Sequence, residues 1–177
     1  ARFEGMGGAI AGFALRTFTV TGGTENGSLG AIDIESVVVA LPERIAIKNV
    51  SFRDFVGNLS RQGAVRIGAV ELRAFEMLNA FDRNPADLRT LEFAIRGLEG
   101  PLSGGSDPNF ERDMRALGYT QIKLNTEVNY RYEEASKTYN LAKLELDIAD
   151  AAAITFGLKI GGVTPDEIKK ALEPPPA

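Results

Sequence analysis

Residues 120 to 132, TQIKLNTEVNYRY, set Ile122, Leu124, Thr126, Val128, Tyr130 and Tyr132 at strict period two, with Lys123, Asn125, Glu127, Asn129 and Arg131 between them. Successive side chains of a strand point to opposite faces, whereas a helix returns to one face every three or four residues. The run therefore reads as a half-buried strand. After a turn at 133–137 the chain returns as TYNLAKLELDI, with Tyr139 and Leu141 in one phase and Leu144, Leu146 and Ile148 in the other. The slip near Ala142 and Lys143 predicts a bulge. Ile154, Phe156, Leu158 and Ile160 then alternate again. Three long neighbouring strands joined by short turns make an antiparallel meander, apolar on one face and solvated on the other.

The upstream chain carries the same texture with more interruptions. A Gly-rich stretch over 1–12, read as a mobile or edge segment, leads into a strand at Phe13–Val20, and Gly22, Gly23, Asn26 and Gly27 mark a turn. LGAIDIESVVVAL and RIAIKNVSF follow as two strands linked at Pro42-Glu43. In the first, Ile32 and Ile34 fall in one phase and Val37, Val39 and Leu41 in the other, so the strand is buried on both faces or carries a bulge. AVRIGAVELR (64–73) alternates with a similar shift, and FEMLNAF has helical spacing at Phe75, Leu78 and Phe81, predicting a short helix over 75–81. LRTLEFAIRGL reads as a half-buried strand through Leu91, Phe93 and Ile95.

Residues 101–107 form a linker, and Asp107, Pro108 and Gly118 bracket a short helix whose Phe110, Met114 and Leu117 stripe would lid an apolar surface. A capping-box pattern, Thr164 to Glu167, starts a last helix that ends at Glu173 and three prolines. The expected fold is mainly β (α+β): a long antiparallel sheet, free to curve, with the C-terminal three-stranded meander and two or three short helices. A weak internal repeat lays 29–59 on 67–102, with Gly30-Ala31 over Gly68-Ala69. The 177 residues fit a single domain, or one built of two similar β-rich halves, about 13–102 and 107–172.

The residue inventory removes most catalytic chemistry. The chain has no Cys and no His, hence no thiol or imidazole nucleophile, none of the usual general bases and no Cys/His zinc site. The carboxylate pairs Asp33/Glu35 and Glu145/Asp147 share a strand face, as an acid–base pair would, but they alternate with apolar neighbours as any solvated sheet face does. Asp107, Asn109, Glu111 and Asp113 lack the glycine and terminal glutamate of a calcium loop, and neither glycine pair is a phosphate loop. No enzyme activity, cofactor or metal is expected. A net charge of −4 without any run of basic residues longer than Lys169-Lys170 argues against nucleic acid, and no stretch approaches the roughly 20 apolar residues of a membrane-spanning helix.

An apolar sheet face must be covered by something. The expected face comprises Ile122, Leu124, Val128, Tyr130 and Tyr132, then Leu144, Leu146 and Ile148, then Phe156 and Leu158. It could meet the rest of the domain, a protein partner or a lipid-like ligand.

The stretch from Leu117 to Val163, with its "GY" before a Tyr-rich strand, an "L-x-L" strand and a glycine-bearing strand, resembles uncharacterised envelope proteins of proteobacteria. RIAIKNVSFRDF is similar in texture to AsmA and TamB-like proteins, which are membrane-anchored, β-rich and implicated in outer-membrane homeostasis and lipid movement. The resemblance covers a third to a half of the chain and transfers no functional residue. It implies an exported, periplasmic module, anchored through a segment outside this stretch, that binds a lipid-like ligand or a partner; the alternative is a purely structural or assembly domain with a closed core and no ligand. The first residue, Ala1, fits a processed or excised chain.

Overall fold

A computed structural model describes residues 6–22, 25–59, 63–80, 84–102 and 108–172. The chain forms one open sheet of eight strands whose spatial order is its sequence order, every neighbouring pair antiparallel. The strands are β1 (Met6–Gly22), β2 (Glu25–Leu41), β3 (Arg44–Leu59), β4 (Gly63–Leu78), β5 (Leu88–Pro101), β6 (Gln121–Glu133), β7 (Thr138–Ile148) and β8 (Ala152–Gly161). A 3-10 turn at Pro85–Asp87 precedes β5, helix α1 (Pro108–Ala116) joins β5 to β6, and helix α2 (Pro165–Leu172) follows β8. The mainly β, antiparallel architecture expected from the alternation is the one observed.

Four local expectations change. The helix over 75–81 does not form: Phe75 to Leu78 are the last residues of β4, and 81 lies outside the described residues. Phe75 pairs with Ile47 on one side and Leu91 on the other, and Met77 with Ile45, so period-two pairing outcompetes the two helical turns that Phe75 and Leu78 suggested. The strand at 13–20 is longer than its sequence pattern, because Met6 to Ala11 also pair with β2 although small residues leave them no readable alternation. Of the linker, Pro101 still belongs to β5 and Leu102 is buried, while 103–107, with the capping Asp107, lie outside the described residues. Helix α1 ends as expected, at a left-handed Gly118 (φ 92°), but it packs extensively on no strand and Leu117 is 73 % exposed. It is not a lid.

Two lines of extra residues cross the sheet. Between the pairs Ala11–Ser36 and Phe13–Ile34, Gly12 faces Glu35, and the line continues through Asn49 and Arg73. The second line runs through Thr17, Gly30, Asp54, Gly68 and Gly97. Along both, the odd-numbered strands supply left-handed residues: Gly12 (φ 65°) and Asn49 (49°) on the first, Thr17 (51°), Asp54 (58°) and Gly97 (61°) on the second. On the second line the even strands supply glycine, where a Cβ on Gly30 would stand 2.8 Å from the Cβ of Asp54 and one on Gly68 3.1 Å from the Arg96 carbonyl oxygen. Because both partners gain a residue, the pairing stays in step while each strand slips phase. Register shifts between Leu72 and Ala74, Ile95 and Leu98, and Leu141 and Leu144 extend the two lines towards β8.

Candidate ligand-binding face

The slips keep apolar side chains on one face. β6 alternates without interruption, so Leu124, Thr126, Val128 and Tyr130 share a face, and following the pairs outward assigns the other strands. One row reads Phe13, Ile34, Val50, Leu72, Phe93, Val128, Leu144 and Phe156, one residue per strand. The next reads Leu15, Ile32, Phe52, Val70, Ile95, Thr126, Leu146 and Ile154. Beyond the first line of slips, Ile10, Val37, Ile47, Phe75, Leu91, Tyr130, Leu141 and Leu158 make a third. Val37 and Val39 therefore lie on the same side as Ile32 and Ile34; β2 carries a slip rather than two buried faces.

All ten residues expected from the sequence, Ile122, Leu124, Val128, Tyr130, Tyr132, Leu144, Leu146, Ile148, Phe156 and Leu158, fall on this face. Sequence reasoning missed its other half, from β1 to β5. The missed signal is that the phase slips recur at matching positions in consecutive strands.

Among the described residues no second layer packs on the face. Sequential strand neighbours apart, α2 with the 3-10 turn is the only substantial pairing of elements among the described residues. Ile10, Phe13 and Phe18 in β1, and Ile154, Phe156, Leu158 and Ile160 in β8, are each more than two-fifths exposed, and Phe52 in the middle of the sheet is 40 % exposed. Side chains of one row shield each other laterally, which leaves Leu72, Phe93 and Val128 half-buried without a cover. The molecule exposes 11,760 Å², against about 8,400 Å² for a compact protein of this mass.

One end of the face is closed. Tyr132, Tyr139 and Tyr130 cluster there, with ring centroids 4.6 Å (Tyr132 to Tyr139) and 6.5 Å (Tyr130 to Tyr139) apart, and the Arg89 guanidinium lies 5.0 Å from the Tyr132 ring. The Tyr130 hydroxyl donates to the Leu88 carbonyl oxygen at 3.2 Å, and burial first, then the neighbouring Tyr139, pushes its pKa up to about 12. Helix α2 is fixed beside this cluster. Thr164 and Glu167 form the expected capping box, the Thr164 backbone N–H donating to the Glu167 carboxylate at 2.7 Å and the Glu167 N–H to the Thr164 hydroxyl at 3.4 Å. Lys169 Nζ lies 2.9 Å from Oδ2 of Asp87, whose side chain is 2 % exposed.

The opposite face is polar and internally neutralised. Its central row reads Ala14, Asp33, Ser51, Glu71, Ala94, Glu127, Glu145 and Thr155. Arg16, then Arg53, hold Asp33 below the ordinary carboxylate range, and Lys48, then Asn49, do the same for Glu35. Glu127 is lowered chiefly by Lys143, at 3.1 Å, with Arg96 and Arg73 adding to it. Arg73 in turn is held by Glu71 at 2.7 Å. Ala94, 1 % exposed, sits between Glu71 and Glu127 in this row. A shallow concavity of about 640 Å³ on this side is lined by Asp33, Glu35, Arg53, Glu71 and Arg73, all engaged in these pairs. Asp33 and Glu35 thus serve separate ion pairs, and Asp147 accepts from Asn125 while Glu145 pairs with Lys143. No group of three or more potential metal ligands occurs among the described residues, and no helix among them is long and apolar enough to cross a membrane.

The chain matches no family model, no curated protein and no solved structure.

Proposed function

We propose that this chain is a non-enzymatic module of the bacterial envelope, exported to the periplasm, that holds lipid-like ligands along the apolar face of its sheet. The observation that carries the reading is the run of apolar rows that crosses all eight strands with no element of the described residues packed over it. Exposed apolar patches of more than a few hundred Å² mark interaction sites in soluble proteins. Strands of up to 17 residues at about 3.3 Å per residue make an extended track rather than a pocket, which suits a long flexible chain better than a compact ligand. The two hydroxyls in these rows, of Thr126 and Tyr130, already donate to backbone carbonyl oxygens, so binding would follow apolar area and not headgroup identity. The similarity in texture to AsmA and TamB-like proteins supports both the location and the ligand class. The scarcity of fully buried residues favours an open face over a closed core.

Titration with a fluorescent fatty acid tests the reading. Saturable binding is expected, weakened at least about tenfold, or about 1.4 kcal/mol, by Phe52→Lys. Its sequence neighbour Ser51 lies on the polar face, so Ser51→Lys should leave binding unchanged. Absence of saturable binding, or equal effects of the two substitutions, would refute the proposal.

A further inference from the structure

We propose that β8 of one molecule joins β1 of the next, so that copies of this chain extend a common sheet head to tail. Among the described residues each edge strand leaves a row of backbone N–H and C=O groups without a neighbour, and proteins usually blunt such edges with charge, proline or a covering loop. Among the same residues these edges are not blunted. The 17 residues of β1 contain one charged side chain, Arg16, the ten of β8 contain one, Lys159, and neither contains proline. Every residue of β8 is exposed.

The two edges also fit each other. With eight strands alternating in direction, β1 and β8 run antiparallel, so a second copy displaced along the sheet sets its β1 beside β8 in antiparallel sense with both apolar faces on one side. Phe156 then opposes Phe13 of the next copy, Ile154 opposes Leu15 and Thr155 opposes Ala14, which continues two apolar rows and the polar row between them. The line of slips continues too. Gly157 of β8 already lies opposite two residues of β7, Ala142 and Lys143, between the pairs Leu141–Leu158 and Leu144–Phe156. In the joined sheet it would lie opposite two residues of β1, Ala11 and Gly12, between Ile10 and Phe13. Gly12 is already left-handed, as an extra strand residue requires, and nothing crowds it. A heterologous contact of this kind repeats, giving a ring or an open filament rather than a symmetric dimer. The join does not depend on any ligand.

Introduced thiols test it cleanly, since the chain has no Cys of its own. Ala14→Cys and Thr155→Cys, prepared separately and mixed under oxidising conditions, should give a mixed disulfide dimer that neither variant forms alone. Pairing Ala14→Cys with Lys159→Cys, displaced by about 13 Å along the strand, should give almost none, because a disulfide needs Cα atoms within about 7 Å. In sedimentation velocity the unmodified protein should shift to larger species, beyond dimer, as concentration rises. A monomer at all concentrations would overturn the proposal, as would a mixture no more cross-linked than the displaced pair. Self-cross-linking of Thr155→Cys would overturn it in favour of a symmetric β8–β8 contact.

Discussion

Replacing Gly30 with alanine probes the second line of slips directly. An added Cβ would lie 2.8 Å from the Cβ of Asp54, 3.0 Å from its Oδ2 and 3.3 Å from the Arg53 carbonyl oxygen. Carbon atoms rest at about 3.5–4.0 Å, so β2 and β3 must part by roughly 0.7 Å or more at a point where neither atom is the free end of a side chain. Overpacking of this kind costs about 1–3 kcal/mol. Asp54→Gly removes the opposing Cβ. Alone it should be nearly neutral, because relief of a left-handed L-residue, about 1–2 kcal/mol, is offset by the added freedom of glycine in the unfolded chain, about 0.5–1 kcal/mol. Combined with Gly30→Ala it should restore most of the loss, leaving the contact with the Arg53 carbonyl as the residue of strain. Urea unfolding followed by circular dichroism gives the four stabilities of the cycle, and the expected coupling is about 1–3 kcal/mol. Additive losses would show that the line is not held by close approach of Gly30 to Asp54.

Alkaline pH should weaken the tyrosine end: unfolded tyrosine ionises near 10, folded Tyr130 only at about 12, so the unfolded chain sheds a proton that the folded one keeps. Stability is whole below about pH 10 and declines as pH rises towards the folded value; Tyr130→Phe should flatten the decline in urea midpoint, and an unchanged slope would exclude Tyr130 as its source. At α2, Lys169→Met leaves the buried Asp87 carboxylate without its cation and should cost about 3–5 kcal/mol, read as lost amide protection in the helix, while the exposed Lys170→Met should stay within about 0.5 kcal/mol. Adding Asp87→Asn to Lys169→Met should recover most of the protection; failure to do so would mean that the pair is not what holds the helix.

Strand content was legible wherever alternation ran unbroken, as from Ile122 to Tyr132 and from Ile154 to Ile160, because period two sustained over seven residues or more has no helical counterpart. It was illegible at Met6 to Ala11, where glycine and alanine carry no pattern and only pairing with β2 defines the strand. At Phe75 the sequence misled for a different reason. Phe75 and Leu78 stand three positions apart as on a helix, but Leu78 pairs with Arg44 in the opposite phase from Phe75, which shares its face with Leu72 because of the extra residue Arg73. The same arithmetic hid half of the candidate face: Ile34 and Val37, or Ile47 and Val50, look like opposite sides of a strand until the slip between them is seen to match one in each neighbour. Helix α2 was legible from its capping box and the end of α1 from Gly118, and the fate of the α1 stripe was not, since a period marks an apolar edge without saying what meets it.

Because strand order follows chain order, every β-ladder among the described residues joins consecutive segments, and none of them ties a distant part of the chain to another. Such a molecule behaves as a one-dimensional array, in which each hairpin answers only to the hairpin before and after it. Melting should therefore begin at the outermost strands and advance inward, with amides of β4 and β5 exchanging last. Loss of a terminal strand would shorten the array without dismantling it, a tolerance to truncation that a protein with two packed layers does not have.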